Sequence, residues 1–198
     1  MNTTQLTKVL TKICLPDFFN KKGKLAYYSV SENDYIILIG IYLNRTLDKE
    51  SFFVEYFMQP LFFPFHTFAF NFGERIGGYW KKGDVTKIEK KLSQLKQLTS
   101  FDEIANIIET RFSGVTRGYY HQSLCFINYI QGNIDKAKLE INKLIIEDER
   151  GIPKWREDEI QKSKEILELI DRGELGICLR NWQQSTIKDL RMDKQFSV

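Results

Sequence analysis

The chain has 198 residues, 42% of them hydrophobic and 14% aromatic, with 29 Lys and Arg against 26 Asp and Glu and a formal charge of +3. Residues 1–80 carry eight basic and seven acidic groups, 81–150 twelve and ten, and 151–198 nine and nine. No segment concentrates the positive charge that phosphate contacts demand, so the composition argues against nucleic acid as a partner, while the length allows a sizeable core.

Taken in chain order, residues 4–14 place Leu6, Val9, Leu10 and Ile13 on one helical face and must stop before Pro16. Lys22-Gly23 supplies a turn, Leu25 to Val30 reads as a strand, and the polar "SEND" turn leads into the Ile-rich "YIILIGIYL" as a second strand. Phe52 to Met58 is a third. Pro60 and Pro64 interrupt the next stretch, and Pro cannot donate to a ladder. From His66 to Phe72 the alternation Phe68, Phe70, Phe72 against Thr67, Ala69, Asn71 predicts a half-buried strand, with His66 at a sheet edge.

After Gly83 the apolar period changes from two to 3.6. Asp84 is placed as N-cap of a helix carrying Val85, Ile88, Leu92 and Leu95 inward, and "SFDE" (Ser100 to Glu103) as a capping box opening a helix on Ile104, Ile107 and Ile108. Further helices are predicted over 116–131, from Ile134 to Ile145, over 154–171 and over 175–191, with a break at Gly151-Ile152-Pro153. The expected fold is α+β: an N-terminal helix with a small antiparallel sheet in residues 1–83, then an all-helical half in 84–198, co-folded as one unit.

Nine of the fifteen phenylalanines fall within residues 52–80. A base-stacking platform needs basic residues among its rings, and none lies between Phe52 and Phe72, so these rings are predicted to be core. Chemistry is sparse. There are two histidines, His66 and His121, without partners at metal-binding spacing, and three cysteines, Cys14, Cys125 and Cys178, too dispersed for zinc or a disulfide framework. Each cysteine sits among apolar residues, so all three are expected to be buried free thiols. The first residues show no basic stretch followed by an apolar one, and a cytoplasmic protein without cofactor or metal is expected. No apolar run approaches the ~18–20 residues that a bilayer span takes, so no membrane partner is expected. No phosphate-binding loop or nucleophile elbow occurs. The acidic clusters "EDER" (147–150) and "REDE" (156–159) read as solvated helix ends rather than a nuclease centre.

Two surfaces remain. In "ERIGGYWKKGD", Gly77-Gly78 permit unusual backbone angles, and Tyr79, Trp80, Lys81 and Lys82 come next at the sheet-to-helix junction as a candidate partner-binding surface, Tyr and Trp being enriched at interface hot spots. The competing account has Trp80 folding back onto the core. Arg117, Tyr120 and His121 cluster at neighbouring helical positions and suit an anion or acid–base work.

The run "LTKICLPDFFNKKGKLAYY", succeeded by an Ile-rich strand and an aromatic one ending "FAFNFG", resembles a bacterial family of uncharacterised small α+β domains, with "FFNKKG" (Phe18 to Gly23) at the characteristic turn. Some members are suspected immunity proteins encoded near toxins. "CFINYIQGNIDKAKLEINKLI" is similar to a single tetratricopeptide-type hairpin, with Gly132 at the turn, Ala137 at the small position, and Ile141 and Leu144 packing; no second copy recurs at a 34-residue spacing. With so little chemistry, the expected function is non-catalytic binding of another macromolecule, a protein above all, and the resemblance implies its most specific form, neutralising a toxin by occlusion. The alternative is a ligand-binding or enzymatic domain with a pocket near Arg117, Tyr120 and His121.

Overall fold

The structure, a computed structural model, describes residues 1–69, 72–112, 117–145 and 154–196, and the side chain of Arg117 lies outside the described set. The chain divides into two compact units: Met1–Val30, Ile37–Gln59 and Phe72–Thr99 in the first, and Ser31–Ile36, Pro60–Asn71 and Ser100–Val198 in the second. The division does not coincide with the change of period at Gly83, because the first helix after the sheet belongs with the strands, and the tip of one hairpin belongs with the later helices.

In the first unit, α1 (Thr3–Lys12) begins at a reciprocal cap, in which Asn2 Oδ1 accepts from Gln5 N and Gln5 Oε1 from Asn2 N, each at 2.9 Å. The strands β1 (Asn20–Lys22), β2 (Leu25–Glu32), β3 (Tyr35–Arg45), β4 (Ser51–Pro60) and β5 (Phe72–Arg75) lie in sequential order in one antiparallel sheet, and the short β6 (Trp80–Lys81) also pairs with β4. Register is fixed at Lys21↔Ala26 and at Phe57↔Gly73. Leu6, Val9, Leu10 and Ile13 pack with Ala26, Ile41, Leu43, Phe52 and Val54, and α2 (Val85–Leu92) adds Ile88 and Leu92 to the same core. Strand alternation explains the choice: 41 and 43 on β3 and 52 and 54 on β4 share one face. Gly40 is required where it stands, since a Cβ there would overlap Ala26 O and lie 2.9 Å from the Phe57 ring.

The second unit contains α3 (Phe101–Arg111), α4 (Arg117–Ile130), α5 (Ile134–Ile145), α6 (Lys154–Asp171) and α7 (Leu175–Asp189). Ser100 caps α3 by accepting from Glu103 N at 3.2 Å. Two joints share one solution: Gly132 (φ +78°) bonds back to Tyr129 O while Asn133 N reaches Asn128 O, and Gly173 (φ +69°) bonds to Ile170 O while Glu174 N reaches Leu169 O. Both are Schellman ends, which satisfy the last carbonyls of the helix. The α4–α5 hairpin buries Ala137, Ile141 and Leu144, as its small-residue pattern predicts.

The tip of the β2–β3 hairpin is the other part of this unit. Asn33 (φ +50°) and Asp34 (φ +68°) both occupy the left-handed region, as a two-residue hairpin turn requires. The buried Gln183 of α7 holds this tip with both ends of its amide: Ile36 N donates to Oε1 and Nε2 donates to Asp34 O, each at 2.8 Å. Tyr35 Oη donates to Gly176 O at 2.9 Å and accepts from Arg180 at 3.3 Å, and burial pushes its phenol above the ordinary range.

Several sequence expectations need correction. Residues 61–69 form turns and bends and no strand; β5 begins only at Phe72, which is fully buried, while Phe65 and Phe68 are half-buried and Phe70 lies outside the described residues. The alternation of rings therefore does not mark a strand here, because Pro64 fixes the backbone and Phe65 N bonds to Phe63 O at 2.8 Å instead of to a neighbouring strand. His66 is not a sheet-edge residue: it stands in this segment, 84% exposed, with Nδ1 2.7 Å from Asp189 Oδ2. Of the cysteines only Cys125 is buried; Cys14 is exposed and Cys178 intermediate. Leu95 lies beyond the end of α2, although it still packs on the core. "EDER", the Gly151-Ile152-Pro153 break and Thr116 lie outside the described residues.

Candidate functional site

The "IGGYWKK" stretch divides its residues between core and surface. Gly77 has φ +75°, and a Cβ on it would lie 2.5 Å from the Trp80 ring, so glycine is demanded twice. That space lets Trp80 fold back: Nε1 donates to Ile76 O at 2.7 Å and the indole packs on the core of the first unit. Tyr79 instead stays 69% exposed, its ring centroid 4.7 Å from that of Phe53. Lys81 and Lys82 are exposed, and Lys81 N donates to Asp84 Oδ2 at 2.9 Å; Asp84 thus serves this turn and makes no side-chain cap on α2.

Around Tyr79 the sheet assembles a hollow of about 810 Å³ from segments far apart in sequence: Arg45 at the end of β3, Leu47 and Asp48 in the loop after it, Phe53 on β4 and Arg75 on β5. The Arg75 guanidinium lies 3.6 Å from the Phe53 ring centroid and 3.4 Å from Glu55, so a cation covers the same ring that Tyr79 touches. Leu47 is completely exposed, at 105%. Asp48 sets the shape of the loop: Ser51 Oγ donates to Oδ2 at 2.5 Å and Glu50 N to Oδ1 at 2.9 Å. Those two hydrogen bonds hold the Asp48 carboxyl below the ordinary carboxylate range. Sequence inspection finds Tyr79 but not Leu47, Arg45 or Arg75, because register and not local pattern brings them to it.

At the second sequence candidate, two of the three residues lie beside a carboxylate of the next helix. His121 Nδ1 is 2.8 Å from Glu140 Oε2, with side-chain exposures of 13% and 11%, and Lys143 donates to Glu140 Oε1 at 2.5 Å. Tyr120 meets the His121 ring edge-on at 4.8 Å, and its phenol is pushed up, first by burial and then by the charge of Glu140. The group ties α4 to α5 and engages both oxygens of the carboxylate. Arg117 opens α4, and its side chain, being outside the described set, is not placed in this group.

Among the described residues, no cluster of three or more His, Cys, Asp and Glu is arranged to hold a metal ion, and no helix is long and apolar enough to cross a membrane. No protein family, no curated protein and no solved structure matches the chain. The similarities carried by "FFNKKG" and by the α4–α5 hairpin therefore rest on those residues alone.

Proposed function

We propose that this is a non-catalytic protein that binds another protein through the sheet face at Leu47, Phe53, Arg75 and Tyr79. The observation that carries the proposal is the pairing of a fully exposed Leu47 with an exposed Tyr79 in one hollow that also holds two arginines. Isolated apolar side chains on a surface need no explanation, but an aromatic, a leucine and arginines converging in one place have the composition of an interface hot spot. Arg45 and Arg75 would favour a partner presenting an apolar side chain flanked by carboxylates. Toxin neutralisation by occlusion is the specific form of this function that the family resemblance suggests.

The test uses affinity capture with tagged full-length protein from its native lysate, comparing wild type with Leu47→Asp and Tyr79→Ala. A stoichiometric protein captured by the wild type and lost from both variants supports the proposal. Capture that survives both variants moves the interface elsewhere and overturns it. If the captured partner is toxic when expressed alone and harmless when co-expressed with the wild type only, the neutralising form is supported as well.

A further inference from the structure

The second unit holds a partly open hollow of about 420 Å³ whose lining includes neither histidine. Five rings from three parts of the chain wall it: Phe63 and Phe65 of the 60–69 segment, Tyr119 and Phe126 of α4, and Trp182 of α7. The rings already pack on one another. Phe63 stands 5.6 Å from Phe65 in a stacked pair, 4.8 Å from Tyr119 and 4.9 Å from Phe126, and Phe126 is 5.9 Å from Trp182. Ile166 and Leu169 of α6 complete the apolar wall.

This wall is held without help from any ligand. The buried Thr186 donates its hydroxyl to Phe63 O and accepts from Phe65 N at 3.3 Å, so the backbone on both sides of Pro64 is anchored to α7. One end is shaped by a glycine: a Cβ on Gly118 would overlap Glu159 Oε1, which places that carboxylate directly against the start of α4. A preformed hollow of a few hundred Å³ with ring walls and few polar groups is the usual form of a small-molecule site.

The charges of the lining indicate what kind of molecule fits. Glu159 is engaged by Arg156, and Glu165 accepts from Gln161 Nε2 at 3.1 Å, while Lys162 and Glu165 are exposed. The ionisable groups of α6 are thus exposed or paired, and the rest of the lining offers rings, aliphatic carbon and two neutral polar groups, the Gln122 amide and the Tyr119 hydroxyl. A charged ligand would give up its hydration there without a counter-charge in the interior, whereas a flat neutral ring would add stacked or edge-on contacts to those in place.

We propose that this cavity binds a small, uncharged, planar aromatic or heteroaromatic molecule between Phe63, Phe65, Tyr119, Phe126 and Trp182. This site goes beyond the protein-binding function and does not depend on it.

The test is ligand-observed magnetic resonance and calorimetry on the full chain, with indole and 2-naphthol as probes, cyclohexanol as a non-planar control and indole-3-acetate as a charged one. Saturable one-to-one binding of both planar neutral probes is expected, with cyclohexanol and indole-3-acetate weaker. Leu169→Trp, which fills the cavity from a half-buried wall, should weaken indole binding by about tenfold or more, the scale of a lost ring contact. If that variant does not fold, Phe65→Ala removes a ring from the wall and must weaken indole in the same direction. Lys162→Ala should leave indole binding unchanged. The proposal is overturned if neither planar probe saturates, if indole-3-acetate binds more tightly than indole, or if a folded Leu169→Trp binds indole as the wild type does.

Discussion

Phe52, Phe53 and Phe57 sit in β4 of the first unit, and Phe62, Phe63 and Phe65 sit a few residues later in a turn-rich segment of the second. The two stretches are alike in composition and differ in what holds their backbones. In β4 the ladder to β5 and β6 takes up the peptide groups, and the rings are then sorted to the faces of the sheet. In the later stretch Leu61 N bonds to Ile36 O, Phe65 N lies near both Phe63 O and Thr186, and the rings meet Phe101 and Phe126 of the helices as well as Tyr35 at the start of β3. Repeated secondary structure is not needed to bury phenylalanine. Each buried peptide group needs a partner, and in the second stretch one threonine hydroxyl supplies much of it.

On this distinction, removal of a strand-borne ring should cost most. Phe57→Ala empties a site with no exposed surface, in contact range of Gly40, and should lower unfolding stability by about 3–5 kcal/mol in urea titrations. Thr186→Val keeps the shape but leaves Phe63 O and Phe65 N without the hydroxyl, and about 1–3 kcal/mol should be lost. A loss near zero would show that the segment is held by its rings alone. Phe65→Ala, on a half-buried ring, should cost less than Phe57→Ala by the same measurement, which sharpens the contrast between a closed and an open wall. His66→Ala should change stability by less than about 0.5 kcal/mol, since its pairing with Asp189 is solvent-exposed.

The smallest effect is expected at the entrance to β4. The Asp48 carboxyl is depressed in the folded chain from an ordinary value of 3.8, so its contribution is present above that value and is lost as the pH falls through the lower folded one. The protection of the Glu50 amide, its exchange rate relative to the intrinsic rate at each pH, should fall across that acidic window. Asp48→Asn should show no such step.

Much of the architecture was legible because periodicity reports which side of an element faces inward. The spacing of apolar residues predicts a helix over 154–171, which is the span of α6, and the change of period at Gly83 separates strands from helices along the chain. The strand expected at 66–72 failed for an informative reason: alternation records the side chains and says nothing of where the peptide groups bond, and just before this stretch Phe65 N bonds within the turn and to Thr186. The candidate surfaces were harder still. Tyr79 is suggested by its glycine neighbours, but Arg45, Leu47 and Arg75 reach it only through sheet register. The ring-walled cavity is invisible in sequence, because Phe63, Tyr119 and Trp182 each look like ordinary core, and pattern cannot distinguish a filled interior from one with a space left in it. His121 shows the converse limit: its residue type suggests chemistry, but its partner Glu140, nineteen residues on in the next helix, is not marked by any local pattern.

The amide of Gln183 reaches across 147 residues to Ile36. Protein synthesis runs from the N-terminus, so the hairpin tip is made well before the side chain that satisfies Ile36 N and Asp34 O. Throughout that interval two polar groups destined for burial remain open to water, and the tip has no reason to settle. Contacts this distant along the chain slow folding. Helix α7 therefore acts as a clasp in time as well as in space: a nascent chain halted before residue 183 should carry a formed α1 and sheet with a loose hairpin tip, and completion of α7 should tighten it in a single step.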